Sequence, residues 1–403
     1  MKIIYLHQYF RTPRMSGGTG SYEMARRLVA YGHEVHMITS DRRGSVSGRW
    51  YRTQDSGIQV HWLPVPYENK MPYPARLRAF FRFAIKAALY ASRIRADVIF
   101  ASSTPLTIAL PAVCAAKIQK APLVFEVRDL WPELPIAVGA LKGPLIPLAR
   151  LLERFAYHNS LQIVALSPGM KEGVVRAGYP AHRVHVIPNS CDLDLFQVPV
   201  QTGIYFRNRY QWLGERPLVL YAGTFGRING VRYLVQLAFE TRKLAPEVRF
   251  LAAGDGYERE LVKTFARDLG VLDRNFFMFP PMSKANMPAL FAAATISTSL
   301  CIDLPELRSN SASKFFDSLA AGRPIAINYQ GWQADLIRET GAGLVLPTND
   351  LPCAAQQLAR VIFDKEWIAR AGSAALQLAR NRFDRDQLAK QLEEVLLRSV
   401  SRT

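Results

Sequence analysis

The sequence has few acidic residues for its length and no long apolar run. Its 403 residues include 33 Asp and Glu against 51 Lys and Arg, which gives a formal net charge of +18. This imbalance indicates an anionic partner, either nucleic acid, a phospholipid surface or a phosphorylated substrate. Because no apolar run approaches the roughly 20 residues of a spanning helix, we predict no transmembrane segment, and we expect no signal peptide.

Cysteine is also scarce. Cys114, Cys191, Cys301 and Cys353 are scattered without the spacing of a metal site, so we predict reduced cysteines in a cytoplasmic protein. No zinc-finger spacing, aromatic RNA-binding motif or basic tail accompanies the positive charge, so we expect no nucleic-acid partner. A phosphorylated substrate and a phospholipid surface remain as the candidate partners.

Strand and helix patterns alternate along the whole chain, which predicts an α/β protein with parallel sheets. The predicted strands of the first half are "KIIYLH", "EVHMITS", "QVHWLPV", "DVIFAS", "PLVFEV", "QIVALS" and "RVHVIP". A polar, aromatic and turn-rich segment at 189–217 follows, and we interpret it as the connection between domains. The strands predicted after it are "PLVLYAG", "VRFLAAG", "FFMFPP", "TISTSL", "PIAINY" and "GLVLP". We therefore predict two doubly wound, Rossmann-like domains at 1–200 and 201–380, and a final helix at 381–403 that packs back on the first domain.

Each predicted domain opens with a strand that leads into a glycine-rich loop. In the first loop, "RMSGGTGSYEM", Gly18 and Gly20 fit the dinucleotide pattern, but Glu23 occupies the place of its third glycine. No Gly-Lys-Ser/Thr triplet follows, so the phosphate loop of nucleotide triphosphatases is also excluded. Two interpretations stay open on local grounds: a backbone cradle for an anion at a helix start, or a plain turn.

Several segments, in order, resemble the retaining glycosyltransferases of family 4, which have the two-domain GT-B fold. These segments are "GGTGSYEMARRLVAYGHEVHMIT", "ALSPGMKEGVVRAGYPAHRVHVIPNSCDLDLF", "LVLYAGTFG", "LAAGDGYEREL" and "SKFFDSLAAGRPIA". A further segment, "VRDLWPE" at 127–133, is similar to a branch that builds bacterial surface polysaccharides and includes fucosamine transferases. The resemblance implies sugar transfer from a nucleotide sugar to an acceptor hydroxyl with retention of the anomeric configuration. It places the nucleotide in the C-terminal domain and the acceptor in the N-terminal domain.

The resemblance also implies donor-binding residues in "SNSASKFFDSLAAG". Many members carry two glutamates with seven residues between them, and these positions are Ser309 and Asp317 here. Asp317 can accept ribose hydroxyls, whereas Ser309 lacks a carboxylate and Glu306 is the nearby substitute to consider. We expect Ser311 or Ser313 to cap the helix that begins near Lys314. The other donor-binding residues expected there are Ser313 and Phe315.

Cations and backbone donors are needed where negative charge develops on the leaving diphosphate. We predict that Lys314 and Arg227 supply cations, with a solvated lysine and an exposed loop arginine as the alternatives. Thr224 and Asn229 occupy positions where the family usually has Arg and Lys. Gly254 and Gly256 either let the backbone approach the base or ribose, or form a plain tight turn. These residues are predicted on the donor side of the site.

In the first domain, Asp129 follows a predicted strand, and its carboxylate is expected to contact the sugar or the acceptor, with a turn aspartate as the alternative. Arg128, Trp131 and Glu133 are predicted on the acceptor side. From across the cleft, Gly17, Gly18 and Thr19 are expected to offer backbone N–H groups to the diphosphate. If such donors suffice, no metal and no other cofactor is required, and we predict none.

The segment "RLRAFFRFAIKAALYASRIRA" at 76–96 has helical periodicity and no acidic residue. We predict that its apolar stripe packs on the sheet, the stripe comprising Leu77, Phe80, Phe81, Ala84, Ile85, Ala88 and Leu89. A basic face of Arg78, Arg82 and Lys86 is expected to meet an anionic membrane, with a solvated basic face as the alternative. The acceptor would then be a lipid-diphosphate-linked or free saccharide, and the protein would be peripheral on the inner face of the cytoplasmic membrane.

Other functions are compatible with the same pattern. A nucleotide-sugar epimerase of the same fold is one alternative, and a non-catalytic nucleotide-binding or membrane scaffold is another. The serine at position 309 and the weakened cation motif are compatible with the scaffold. On the resemblance alone, UDP is the first choice of nucleotide, and the sugar is expected to be an N-acetylated amino or deoxyamino sugar.

Overall fold

The computed structural model describes residues 1–15, 17–42, 49–68 and 71–401, without the side chain of Tyr73. Within these residues the chain forms two compact units. Unit 1 comprises Met1–Thr12, Thr19–Pro188 and Asp386–Thr403, and unit 2 comprises Pro13–Gly18 and Asn189–Arg385. The glycine-rich loop is thus divided, with Gly17 and Gly18 in unit 2 and Thr19 in unit 1.

Unit 1 contains an eight-stranded sheet in the order β3-β4-β2-β1-β5-β6-β7-β8. The strands are β1 Lys2–Leu6, β2 Glu34–Asp41, β3 Tyr51–Asp55, β4 Ile58–Pro64, β5 Val98–Ser102, β6 Leu123–Val127, β7 Gln162–Ala165 and β8 Val184–Val186. The helices are α1 Gly20–Ala30, α2 Tyr73–Ala91, α3 Ala109–Gln119, α4 Glu133–Ala137, α5 Leu145–His158 and α6 Pro168–Arg176. The sheet is parallel except for β3, which pairs antiparallel with β4 and was not predicted. The sequence of β3, "YRTQD", has no apolar pattern because this edge strand is mostly exposed.

Unit 2 contains a fully parallel sheet of six strands in the order β11-β10-β9-β12-β13-β14. The strands are β9 Leu218–Ala222, β10 Arg249–Ala253, β11 Phe276–Phe279, β12 Ile296–Ser299, β13 Ile325–Ile327 and β14 Gly343–Val345. The helices are α7 Leu193–Phe196, α8 Val200–Asn208, α9 Val231–Leu244, α10 Arg259–Asp268, α11 Met287–Ala293, α12 Ser313–Ala320, α13 Trp332–Thr340, α14 Leu351–Val361 and α15 Lys365–Arg382. The segment predicted as a connection at 189–217 holds α7 and α8, which belong to unit 2.

The last helix, α16 Arg385–Val400, lies in unit 1 from Asp386 onward. Its apolar residues Leu388, Leu392 and Leu396 are buried in one core cluster with Ile3 and Leu28 of β1 and α1. The opposite face of the sheet has a second core cluster, to which α2, α3 and α5 contribute. Both faces are covered, and the strands are therefore apolar along nearly their whole length.

The prediction of an α/β protein with two parallel-sheet, Rossmann-like domains is confirmed. The strand order reverses between β1 and β5 in unit 1, and between β9 and β12 in unit 2. Ligands of such sheets bind outside the carboxyl ends of the strands at these switch points. Each sheet therefore has one edge at which a ligand is expected, formed by the loops that follow the carboxyl ends of its strands. We call this the site edge of the unit.

Candidate active site

The site edge of unit 2 is formed by three loops, at 223–230, 254–257 and 301–312, which follow β9, β10 and β12. A Cβ on Gly254 would lie 1.8 Å from the carbonyl oxygen of Gly223, and one on Gly256 would lie 2.5 Å from that of Phe225. The first two loops thus pack backbone against backbone, and only glycine fits at these two positions. This close approach gives both glycines a structural role. That their backbone also contacts the base or ribose of a nucleotide remains a prediction.

Lys314 lies beside the first of these loops, on the first turn of α12. Its Nζ lies 5.3 Å from the ring centroid of Tyr221, and a Cβ on Gly223 would lie 2.9 Å from its Cε. Among the residues that the structure describes, no hydrogen bond or ion pair holds its ammonium group. Burial lowers the pKa of Lys314 to about 8, although a nearby Cys301 thiolate would oppose the shift. A half-buried cation without a counter-ion suits an anionic ligand.

The start of α12 differs from the prediction. The helix begins at Ser313, its N-cap is Ala312, and no side chain caps it, so the predicted serine cap is wrong. Ser311 instead accepts hydrogen bonds at its carbonyl and hydroxyl oxygens from Asn189, with Nδ2 2.5 Å from the carbonyl oxygen. Ser313 is exposed, whereas Phe315 is fully buried in the core. Among the residues that the structure describes, none therefore offers a side-chain acceptor to the first N–H groups of α12 beside Lys314.

Asp317 lies one turn further along α12, in an ionic network that the sequence did not reveal. Its Oδ1 accepts a hydrogen bond from Lys284 Nζ at 2.6 Å, and the same nitrogen lies 3.9 Å from Asp192 Oδ2. Asp192 in turn receives two hydrogen bonds from the guanidinium of Arg385. These residues are far apart in sequence, so no spacing rule could have paired them.

The predicted cation loop after β9 is partly exposed. The guanidinium of Arg227 lies 5.1 Å from the ring centroid of Tyr257, which is in the loop after β10. Thr224 is exposed, and its carbonyl accepts a hydrogen bond from the Tyr221 hydroxyl at 2.7 Å. Asn229 closes a short turn by donating its N–H to the carbonyl of Gly226 at 2.9 Å. The structure thus brings Arg227 to the second glycine loop.

Glu306 and Ser309 lie in a short 3-10 turn, Pro305–Ser309, in the loop after β12. This loop contacts the Arg227–Asn229 turn, since Ile302 N donates to the carbonyl of Ile228 at 3.1 Å. The Oε2 atom of Glu306 is buried and has no hydrogen-bond partner among the described residues. A carboxylate oxygen is therefore present near the predicted sugar position, although Ser309 cannot supply one.

The site edge of unit 1 carries Arg128 and Asp129, as predicted, at the end of β6. Asp129 Oδ2 accepts a hydrogen bond from Thr104 Oγ1 at 3.0 Å. Burial raises the pKa of Asp129, and the hydrogen bond from Thr104 and the charge of Arg128 oppose this shift. The backbone N–H of Arg128 donates to Ser103 Oγ at 3.0 Å. The loops after β5 and β6 thus hold the carboxyl group of Asp129 and the adjacent Arg128 in place.

Two further polar residues of this edge were missed. Glu126 is buried, accepts a hydrogen bond from Ser102, and lies 3.4 Å from Arg128 NH1. His7 follows β1, and burial followed by the charges of Arg128 and Arg11 lowers its pKa to about 3. A carboxylate inside a predicted strand was the available signal for Glu126. For His7 the signal was a polar residue directly after the central strand.

The remaining predicted residues of unit 1 are placed as follows. Trp131 packs against the core cluster that contains α2, α3 and α5. Glu133 is exposed at the start of α4. Its charge acts on Glu153 of α5, whose pKa burial raises to about 7 with Glu133 as the second cause. Thr19 is the N-cap residue of α1 but makes no side-chain capping bond.

The predicted apolar stripe of α2 is wrong in its orientation. Phe83 is fully buried, although it was placed outside the stripe, whereas Phe81, Ile85 and Leu89 are 45%, 62% and 63% exposed. The true buried face is built around Phe80, Phe83, Ala84, Ala87 and Ala91. Small alanines allow this face to pack closely on α3 and the sheet, so the bulkier residues point outward. The periodicity was correct, but several stripes were almost equally apolar.

The exposed face of α2 therefore combines apolar and basic side chains. We call it the α2 face, and its exposed members are Arg78, Phe81, Arg82, Ile85, Lys86 and Leu89. Helix α3 packs against both α2 and α5. Leu148 and Leu151 of α5 are 58% and 63% exposed, and Ile118 of α3 is 63% exposed. The exposed apolar residues of all three helices belong to the layer that covers one face of the sheet.

Two features of the described residues concern membranes and metals. In that part of the chain, no helix combines the length and apolar character needed to cross a bilayer. No group of three His, Cys, Asp or Glu side chains is placed there to hold a metal ion. The prediction that the reaction needs no metal stays a prediction.

Two family models match the chain, one in each half. Residues 17–190 match the glycosyl transferase 4-like domain, and residues 216–364 match the glycosyl transferases group 1 domain. Together these two domains span most of the chain and both site edges. The chain therefore carries two glycosyltransferase domains, one of the glycosyl transferase 4-like kind and one of the group 1 kind.

Individual relatives agree with this assignment. The chain is 25% identical over 290 residues to an Escherichia coli K12 protein named as a colanic acid biosynthesis glycosyl transferase, WcaI, covering 68% of this chain and 70% of WcaI. It is 26% identical over 376 residues to the D-inositol 3-phosphate glycosyltransferase of Xylanimonas cellulosilytica, covering 89% and 87% of the two chains. The crystal structure of Anabaena HepE with UDP and glucose has a TM-score of 0.74, with 17% identity and coverage of 99% and 100%. The last similarity shows the fold, and the sequence relatives include enzymes of polysaccharide synthesis.

Proposed function

We propose that this glycosyltransferase moves a sugar from a nucleotide sugar, with UDP as the nucleotide, to a lipid-diphosphate-linked or saccharide acceptor. The anomeric configuration is retained. The observation that carries the proposal is Lys314, a half-buried ammonium group without a counter-ion beside a glycine loop and an uncapped helix start. UDP-bound structures of HepE, which has the same fold, support the choice of nucleotide. Surface polysaccharide synthesis is supported by the similarity to WcaI.

The diphosphate is the group that Lys314 would meet. In the free protein, burial leaves the positive charge of Lys314 poorly solvated, and this lowers its pKa. A diphosphate placed against Lys314 would restore a counter-ion and would accept from the first N–H groups of α12. As the bond from sugar to diphosphate breaks, negative charge increases on the departing oxygen. The interaction with Lys314 would therefore strengthen in the transition state and accelerate the transfer.

The other unit 2 residues take supporting roles in this proposal. Arg227 is a second cation for the diphosphate, with Thr224 and Asn229 in the same loop. Asp317 keeps Oδ2 for the ribose hydroxyls while Oδ1 accepts from Lys284. Glu306, with its unpartnered buried oxygen, receives a hydroxyl or an amide N–H of the donor sugar. An N-acetylated amino or deoxyamino sugar, such as a fucosamine, would supply both kinds of donor.

In unit 1, Asp129 and Arg128 contact the acceptor or the transferred sugar in this proposal. Asp129 has a pKa raised by burial, so its carboxylate gains from a hydroxyl that donates to it. Trp131 and Glu133 follow in the same segment and are assigned to the acceptor side. Gly17 and Gly18 of unit 2 and Thr19 of unit 1 offer backbone N–H groups to the diphosphate.

We place the enzyme on an anionic membrane surface, where a lipid-linked acceptor would be found. The α2 face supports this location because its exposed arginines and lysine alternate with exposed Phe81, Ile85 and Leu89. Basic side chains attract anionic headgroups, and apolar side chains enter the interface between headgroups and acyl chains. The excess positive charge of +18 acts in the same direction.

A panel of UDP-, GDP- and dTDP-sugars tests the proposal, first by thermal shift and then with a lipid-diphosphate acceptor. Transfer of the sugar to the acceptor with retained configuration is expected. Epimerisation of the nucleotide sugar without an acceptor would identify an epimerase instead. Binding of nucleotide without either reaction, over the whole panel, would favour the scaffold alternative.

A further inference from the structure

A cavity of about 420 Å³ lies in unit 2 at the carboxyl-terminal end of α12. Lys314 is on the first turn of this helix, so the cavity lies at the opposite end of α12 from Lys314. Two polar residues, Gln197 and Arg323, line it, and its other walls are apolar or glycine. The apolar contributors include Phe196, Val198, Pro199, Ala292, Ala320 and Leu376. The volume is within the usual range for small-molecule sites.

Arg323 carries the only formal charge on the cavity wall among the residues described. Its Nε atom is buried without a hydrogen-bond partner. No other described residue forms a hydrogen bond or an ion pair with its guanidinium. Burial lowers the pKa of Arg323, and no neighbouring charge offsets this. Arg323 is half-buried, and a charge taken partly out of water without a counter-ion is destabilised unless a ligand supplies one.

A second arginine adds to the positive charge of this region. Arg207 donates hydrogen bonds to the carbonyl oxygens of Gly214, Arg216 and Ala293, at 3.0, 2.8 and 2.5 Å. Burial and then the charge of Arg323 lower the pKa of Arg207, and Glu215 acts in the opposite direction. Ala293 directly follows the cavity residue Ala292. The positive charge of Arg323 is therefore reinforced by a neighbouring cation.

Gln197, the other polar residue of the wall, accepts a hydrogen bond at Oε1 from Arg380 NH2 at 3.2 Å. A purely structural explanation would make Arg323 a cap for the last carbonyl groups of α12, as cations often are at helix ends. Such a cap requires hydrogen bonds from the guanidinium to those carbonyls, and none is formed among the described residues. Arg323 is thus not a helix cap, and it lines the cavity.

We propose that this cavity is a second ligand site, which binds the phosphate or carboxylate group of a small organic anion at Arg323. A guanidinium holds such oxyanions with two parallel hydrogen bonds. The apolar walls would contact the body of the molecule. Phenyl phosphate and benzoate are matched probes for the two oxyanions, and inorganic phosphate is the probe without an apolar body.

Calorimetry in a phosphate-free buffer tests the site with the full chain. We expect phenyl phosphate or benzoate to bind, and phenyl phosphate to bind more tightly than inorganic phosphate. Arg323→Met should weaken the tighter of the two organic probes by about 10- to 100-fold, the loss of a charge-assisted interaction. Arg370→Met, which removes an exposed arginine of α15, and Lys314→Ala should leave that affinity unchanged. Absence of binding at millimolar concentration, equal binding by Arg323→Met, or loss of binding in Lys314→Ala would each overturn the proposal.

Thermal melting separates a ligand site from a structural arginine. Without any anion, Arg323→Met should melt no lower than the wild type, because the substitution removes a half-buried charge that has no counter-ion among the described residues. The organic anion should raise the melting temperature of the wild type and leave that of the variant unchanged. A variant that melts clearly lower without the anion would show that Arg323 stabilises the fold itself, which contradicts the proposal.

Discussion

Lys284 Nζ lies 2.6 Å from Asp317 Oδ1, across 33 residues of sequence. The same ammonium group lies 3.9 Å from Asp192 Oδ2 and 4.8 Å from the ring centroid of Phe196. Asp317 is thereby fixed in direction on α12, with one oxygen occupied by Lys284. The predicted ribose contact then depends on Oδ2, and its geometry depends on a lysine from the turn before α11.

We predict that Asp317→Ala weakens UDP binding by about 2 kcal/mol, the scale of a lost hydrogen bond to a charged group. Calorimetry measures this change. Asp335→Ala, which removes a carboxylate that is 74% exposed on α13, is the control and should bind UDP like the wild type. An unchanged affinity in a folded Asp317→Ala protein would remove Asp317 from the nucleotide site.

Lys314→Ala should lower turnover by about 100-fold or more, because one cation that stabilises the departing diphosphate is lost. Steady-state sugar transfer at saturating donor measures this effect. Lys365→Ala changes an exposed lysine at the start of α15 and should transfer sugar at the wild-type rate. Near-normal turnover of Lys314→Ala would show that the lysine does not act on the leaving group.

The affinity for UDP should fall as pH rises above 8. Burial lowers the pKa of Lys314 to about 8, so the free protein loses this charge above that pH and must be protonated again on binding. Between pH 8 and 9 the dissociation constant should therefore rise by up to about tenfold, in line with proton linkage. The same titration of Lys314→Met should be flat over this range, and a similar slope in that variant would assign the dependence to another group.

The titration of Lys314 has the opposite effect on the stability of the fold. Its folded pKa is below its ordinary value of 10.5, so between about pH 8 and 10.5 the unfolded chain binds more protons than the folded chain. Its contribution to the free energy of unfolding therefore rises with pH in this window. Binding should weaken where this contribution to stability increases, which distinguishes the titration of Lys314 from alkaline unfolding.

Gly254→Ala should lower the free energy of unfolding by more than about 2 kcal/mol, because its Cβ would overlap backbone atoms that cannot move independently. The clash is with the Gly223 carbonyl oxygen at 1.8 Å. Chemical denaturation measures the change. Gly18→Ala, whose Cβ would meet nothing within 4 Å, should unfold like the wild type. A stable Gly254→Ala protein would contradict the packing of these two loops.

The triple change Arg78→Gln, Arg82→Gln, Lys86→Gln should release the protein from anionic vesicles, since each lost cation removes about 1 kcal/mol of attraction. High salt should release the wild type by screening the same charges. Co-sedimentation measures both effects. Activity on a short water-soluble acceptor should persist.

Two further variants test the α2 face. Lys263→Gln, Arg267→Gln, Arg274→Gln removes the same charge from exposed positions of unit 2 and should still bind vesicles. Phe81→Ser, Ile85→Ser, Leu89→Ser should lose the salt-resistant part of vesicle binding. Equal binding by the Arg78, Arg82 and Lys86 variant at low salt would leave the α2 face as ordinary surface.

The sequence by itself determined the fold class. Buried parallel strands are apolar along their length, so the strands from "KIIYLH" to "GLVLP" were predicted from local composition, and only the exposed edge strand β3 was missed. The motifs "SKFFDSLAAG" and "VRDLWPE" placed Lys314 near a helix start and Asp129 at a strand end. Such positions depend on residues close in sequence, and local patterns are sufficient for them.

Tertiary structure decided what each side chain contacts. The pairing of Asp317 with Lys284, and of Asp192 with Arg385, joins residues that only packing brings together. The outward orientation of Phe81, Ile85 and Leu89 was decided by the small alanines that fit against the sheet, because the sequence pattern of α2 contains several apolar stripes. The uncompensated charge of Arg323 could be recognised only from the tertiary structure. Counter-ions come from residues that are close in space, whatever their distance in sequence.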